Sequence, residues 1–179
     1  AHSLLMCISR ALQMGLQIGG QVPQAYIVAM GETAQLIPTA AGYRFIVTSE
    51  PPVLMDYIQK PVYEGDNVTI DAMTGEIKHE IRITDTKRKL IGIYAQFTEL
   101  DGSKHADYIS RGDIESIRDK WSKQPEGKAW KNAFEAMAMQ KAAKHFLKPY
   151  AALKEGLAMA LAIEETEENN ADVTFSDTD

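Results

Sequence analysis

The 179 residues are 45% hydrophobic and 25% charged, with a formal charge of −6; this suits one soluble domain with its own core and excludes a chain too polar to collapse. No apolar run approaches the roughly 20 residues a membrane-spanning helix needs, and the lone cysteine, Cys7, excludes an internal disulfide or a paired-cysteine metal knuckle. The acidity is local: residues 151–179 hold eight acids against Lys154 alone, a net −7, which leaves +1 on residues 1–150.

The chain opens at Ala1, directly before a helix and with no basic segment leading to a cleavage site, which reads as a trimmed product or fragment. "SLLMCISRALQMG" predicts a helix capped at Ser3 and stopped near Gly15, with Leu4, Leu5, Ile8, Ala11 and Leu12 on its apolar face. Cys7 on this helix reads as a buried small hydrophobe. "AYIVAM" and "AQLIPT" flank "GET" as two short strands around a tight turn. "AAGYRFIVTSE" predicts a short helix ended by Pro51 and Pro52.

The middle alternates apolar and polar residues, as half-buried strands do. "PVYEGDNVTIDA" and "EIKHEIRIT" surround a turn at Thr74-Gly75, and "LIGIYAQFTEL" and "KHADYIS" flank Asp101-Gly102, a type I′ signal. Between the hairpins lies the basic stretch "TDTKRK". An antiparallel sheet of four or five strands is expected.

From Ser110 the period lengthens to 3.6. Ser110 and Asp113 form a capping-box start, and Ile114, Ile117 and Trp121 follow at helical spacing. Pro125 and Gly127 break that helix. "KAWKNAFEAMAMQKAAKHFLKPY" then predicts another, over 128–150, and "EETEENNADVTFSDTD" a solvating acidic tail. Strands followed by helices predict an α+β fold, with helices packed on one face of an antiparallel sheet. A core domain over 1–150 and an extension with a tail over 151–179 are expected.

The 128–150 helix has two faces. Met139, Ala142, Ala143, Phe146 and Leu147 suit a core. Trp130, Phe134, Met137, Lys141, Lys144 and Lys148 fall on the other stripe. Like charges so spaced repel by a few tenths of a kcal/mol per pair, and an anionic partner reverses that. A solvated face, with the helix dipole favouring the last lysines, competes with a wall for single-stranded nucleic acid. Arg44, Lys87, Arg88, Lys89, Arg111, Lys123, Lys128 and Lys131 are further basic candidates.

Taken together, "ALQMGL" with "AYIVAM", "AGYRF", "VYEGD", "IGIYAQF", "DYISRGDIESIRDKWSK" and "AWKNAFEAMAMQKAAKHFLKPY" resemble, in order, the RecT-type family of phage single-strand annealing proteins over residues 3–150. The resemblance implies a non-enzymatic protein of the bacterial cytoplasm, phage- or prophage-encoded. Such a protein coats single-stranded DNA, pairs it with its complement through an annealed duplex intermediate, and uses neither ATP nor a cofactor. It implies a homo-oligomer, ring or helical filament, working beside a 5′→3′ exonuclease. Tyr43 and Arg44 match the family's Tyr-Arg/Lys pair; Trp130, Met137, Lys141, Lys144 and Lys148 match its terminal helix, and Arg111 stands at the entry of the penultimate one. Phe45 and His145 depart from the residues common there. On this reading Lys141, Lys144, Lys148 and Arg44 contact phosphates, Arg111, Lys128 and Lys131 assist with Lys87 and Arg88 nearby, and Tyr43 and Trp130 stack on bases or sugars.

Two other classes compete. Glu64, Asp66, Asp71, Glu76 and Glu80 would suit a Mg²⁺-dependent nuclease if paired in space, though their turn positions are ordinary for solvated acids. A non-enzymatic assembly module would use the basic stripe for an acidic protein or for its own tail. No glycine loop for phosphate and no nucleophile with a base partner stands out.

Overall fold

In the computed structural model, residues 2–30, 32–71, 74–84, 86–122 and 125–169 are described. Helix α1 (His2–Gln13) ends before Gly15, whose φ of +67° is the left-handed conformation that follows a helix terminus. Of the predicted apolar face only Ala11 is buried, together with Cys7, as expected for that residue. Cys7 and Ala11 are packed, with the Cys7 thiol donating to the Ala34 carbonyl at 3.3 Å, while Leu4, Leu5, Ile8 and Leu12 are exposed. The helix lies on β2, and small side chains four apart let the two backbones approach. Leucines would hold them apart.

Strands β1 (Ala25–Met30) and β2 (Thr33–Pro38) pair antiparallel, from Ala25 opposite Pro38 to Met30 opposite Thr33. Helix α2 (Ala40–Thr48) follows at once, its first turn capped by the Thr39 hydroxyl, which accepts the Gly42 amide at 3.1 Å. A Cβ on Gly42 would stand 2.0 Å from the Gln24 carbonyl oxygen. Glycine is therefore required by close packing of two backbones. Tyr43, Ile46 and Val47 go into the core behind it.

The main sheet has three strands, in the order β3 (Asp56–Tyr63), β6 (Leu90–Thr98), β7 (Lys104–Ser110), all antiparallel. A separate hairpin, β4 (Asn67–Ile70) and β5 (Ile77–Glu80), lies against it. The expected sheet of four or five strands is thus a three-strand sheet plus two ribbons. The strand expected through 61–72 is split at Gly65, where φ is +88°. The strand expected to reach Thr84 stops at Glu80, because the Arg82 amide donates to the Asp66 carboxylate at 2.8 Å instead of to a strand. The β6–β7 turn is not type I′ either. Gly102 alone has positive φ, and its amide donates to Glu99 O at 3.0 Å, the geometry of a type I turn closed by a glycine bulge.

Alternation along β6 sends Ile93, Ala95 and Phe97 to the helical side, where Phe97 meets Phe146 edge-on at 6.3 Å. Tyr94 and Gln96 meet the β4–β5 hairpin: His79 stands edge-on to Tyr94 at 5.6 Å, and Gln96 donates to Gly75 O at 3.0 Å. Helices on one face of an antiparallel sheet give the α+β class expected.

Helix α3 (Arg111–Trp121) carries the capping box of Ser110 and Asp113. The expected long helix is two, α4 (Lys128–Asn132) and α5 (Phe134–Leu147), interrupted at Ala133 with φ −135° and ψ 41°. A 3₁₀ segment, Lys148–Leu153, leads to α6 (Glu155–Asn169). Leu157, Ala160, Leu161 and Ile163 are buried in the common core, so packing continues beyond residue 150, and helix runs on through six residues that composition assigns to a tail. Lys154 fastens α6 to the end of α2 by donating to the Ser49 and Pro51 carbonyls at 2.6 and 3.0 Å. Among the described residues no helix is long and apolar enough to cross a membrane.

Candidate nucleic-acid interface

At 100° per residue, Phe134, Met137, Lys141, Lys144 and Lys148 lie within roughly 80° of one another around α5 and its cap. Opposite them the helix buries Ala138, Ala142, Ala143, Phe146 and Leu147. Lys148 is exposed, and Lys141 and Lys144 are half-buried. From Phe134 to Lys148 the stripe runs roughly 21 Å at 1.5 Å per residue, and it contains no acid.

Arg111 of α3 extends the stripe at its N-terminal end. Its guanidinium lies over the Phe134 ring, 4.5 Å from the centroid, while Nε donates to Glu115 at 2.7 Å and Nη1 to Leu90 O at 3.3 Å. Arg118, two turns on, lies 5.8 Å from the centre of the Trp130 ring, and Trp130 meets Phe134 at 5.7 Å. Two arginines and two aromatic rings therefore join α3 to α4 and α5.

This arrangement corrects the aromatic part of the expected site. Trp130 is 4% exposed, and its indole N–H donates to Ser122 at 3.2 Å. Tyr43 is 0% exposed within the core. Neither ring presents a face to a base, because Trp130 is used to hold helices together and Tyr43 is enclosed by the core.

Arg44 is separated from the lysine stripe. It is exposed on α2, bonded to Asp56 at 2.8 Å, and lines a cleft of about 240 Å³ with Lys60, Gln59 and Met139. Met139 lies roughly 200° around α5 from Lys141, so the two basic surfaces lie on opposite sides of that helix. Lys131 is exposed and pairs with Glu126 at 3.3 Å. The Lys128 side chain and Lys123 lie outside the described residues.

Lys87 is exposed in the connection from β5 to β6, whereas Arg88 is held. Arg88 pairs with Asp66, whose side chain is 0% exposed, and lies over the Tyr63 ring at 5.2 Å. The same carboxylate accepts the Tyr63 and Arg82 amides at 3.0 and 2.8 Å and meets His79 Nε2 at 3.2 Å. Burial alone would raise the Asp66 pKa, but Arg88, the two amides and His79 outweigh it and hold the carboxyl well below its usual range. Tyr63 is pushed up to about 12, first by burial and then by its hydrogen bond to Glu135 in the first turn of α5. Alternation hides this network. Glu64-Gly65-Asp66 reads as a solvated turn, and only the returning chain brings His79, Arg82 and Arg88 to it.

Of the carboxylates proposed for a nuclease, only Asp71 and Glu76 line one cleft, shared with Lys78. Asp66 is consumed by its donors, and among the described residues no three His, Cys, Asp or Glu side chains are grouped as metal ligands.

The RecT family model matches residues 1–175 of the chain. The chain belongs to the RecT family. RecT proteins are associated with single-strand annealing and recombination, and membership implies binding to single-stranded DNA and oligomerisation. The RecT match also takes in α6, in keeping with its packing into the core. No curated protein matches the chain.

Proposed function

We propose that this protein holds single-stranded DNA along the α5 stripe and anneals it to a complementary strand without ATP, as a ring or helical homo-oligomer. The observation that carries this reading is the line of Lys141, Lys144 and Lys148 at helical spacing on the side of α5 away from its core face, prolonged by Arg111. Lysine and arginine contacts to phosphate carry no sequence information, which suits a protein that must accept any strand. A stripe of roughly 21 Å spans only a few phosphates of a single strand, and head-to-tail assembly repeats it, so affinity rises steeply with strand length.

Pairing drives the reaction, since each base-pair step contributes about 1.4 kcal/mol. The protein lowers the cost of bringing two polyanions together. Arg44 and Lys60, across α5, offer a second place for phosphate. A 5′→3′ exonuclease is the partner that would supply the single strands.

The test is annealing of two complementary oligonucleotides without nucleotide, followed by electron microscopy of the product. Acceleration over the protein-free rate, together with regular assemblies on DNA, is expected. Annealing no faster than in buffer would remove the proposal.

A further inference from the structure

The connection between β5 and β6 contains Ile81 and Ile83, which are 62% and 93% exposed. β-branched side chains in an alternating sequence belong in a sheet, yet these lie beyond the end of β5 and face solvent. The same connection carries Arg82, Lys87 and Lys89, all exposed.

The segment is held at both ends by one group. Asp66 Oδ1 accepts the Arg82 amide and pairs with Arg88, while its other oxygen is taken by the Tyr63 amide and His79. A single buried carboxylate therefore clamps the two ends of a basic connection whose apolar side chains point outward. A clamp of this kind fixes where the isoleucines stand and covers neither of them.

We infer that this connection is a base-contacting element: Ile81 and Ile83 pack against bases of a bound strand while Arg82, Lys87 and Lys89 take the flanking phosphates. The inference rests on the single-strand reading above and adds to it the group that meets the bases, a role that buried Tyr43 and Trp130 do not fill. Charge selects the occupant. Lysine is depleted from the centre of protein–protein interfaces, but a single strand presents apolar base faces beside regularly spaced negative charge. Isoleucine side chains wedge between base steps in proteins that bend duplex DNA, and the unpaired bases of a single strand offer the same apolar faces.

The experiment compares oligothymidylate with an abasic sugar-phosphate strand of equal length, for the full chain and for the Ile81→Ser/Ile83→Ser variant. The wild-type protein is expected to prefer oligothymidylate by about tenfold, the ratio that partial burial of the isoleucines supplies. The variant should bring that ratio toward one while keeping the salt dependence on the abasic strand, and Ile83→Leu should retain it. Equal wild-type binding to both strands, or a variant that keeps the preference, overturns the inference and leaves the phosphate-stripe reading intact. A fall in solution mass for the variant without DNA also overturns it, by assigning the isoleucines to a second copy. Wild-type binding to neither strand removes the parent reading and this one with it.

Discussion

The Arg111 guanidinium carbon lies over Phe134, 4.5 Å from the ring centroid, and this contact joins the first turn of α3 to the first turn of α5. It explains why the stripe begins with an aromatic residue: Phe134 positions a cation. Phe134→Leu should lower stability by about 0.5–1 kcal/mol through the lost cation–π contact, read as a lower urea midpoint at unchanged slope. It should also weaken DNA binding more than stability accounts for, because Arg111 is no longer fixed. Binding unchanged in the folded variant would separate Arg111 from the interface.

Replacing Lys141, Lys144 and Lys148 together by alanine should weaken single-strand binding by similar factors for all sequences. The slope of log K against log salt should flatten by about 2, near 0.7 for each lost contact. A titration series on two unrelated oligonucleotides checks both statements, and an unchanged slope would place the phosphates elsewhere.

The separation of Arg44 from the lysines gives a different expectation. Arg44→Ala with Lys60→Ala should leave first-strand affinity nearly unaltered and slow annealing, since these residues lie across α5 from the stripe. Stopped-flow annealing beside equilibrium binding measures the two separately. An equal loss in both would merge the two surfaces into one.

Asp66 sets an acid limit on the fold. Its folded pKa lies below the unfolded value of about 3.9, so the unfolded chain takes up the proton first as pH falls. Its stabilisation is complete above about pH 5 and is lost progressively as pH falls below about 4 toward the folded pKa. Asp66→Asn should cost about 3–5 kcal/mol, because Arg88 is left partly buried without its countercharge. Urea midpoints between pH 3 and 7 should fall steeply in acid for the native chain and much less for the variant.

Trp130→Phe should reduce stability through lost packing and the lost bond to Ser122, while leaving DNA affinity of the folded protein within a factor of about two, since effects under about 0.5 kcal/mol are typical away from an interface. A large, specific loss of binding would restore the ring to the site.

How much of this was legible beforehand depends on the range of the interaction that decides it. Local signals sufficed for α2, the Ser110–Asp113 box, the glycine after α1 and the lysine period on α5, because caps, turns and helical spacing act within a few residues. Order of motifs sufficed for the family. Burial of Cys7 and Ala11 on α1 was legible, but exposure of Leu4, Leu5, Ile8 and Leu12 was not: hydrophobicity favours the large side chains, whereas close approach to β2 selects the small ones. Nor was the fate of Tyr43 and Trp130, since an aromatic residue beside a cation reads alike whether it meets a base or another helix.

The sequence by itself determined the α+β class, the family and one acid-free cationic helix face, because periodicity and composition are properties of the chain taken alone. Only the tertiary structure decided that Asp66 ties β4 to the return of β5, that Arg111 stands on Phe134, and that Arg44 lies across α5 from the lysines. Those facts depend on segments far apart in sequence meeting in space, where burial strengthens a charge or removes a ring from solvent.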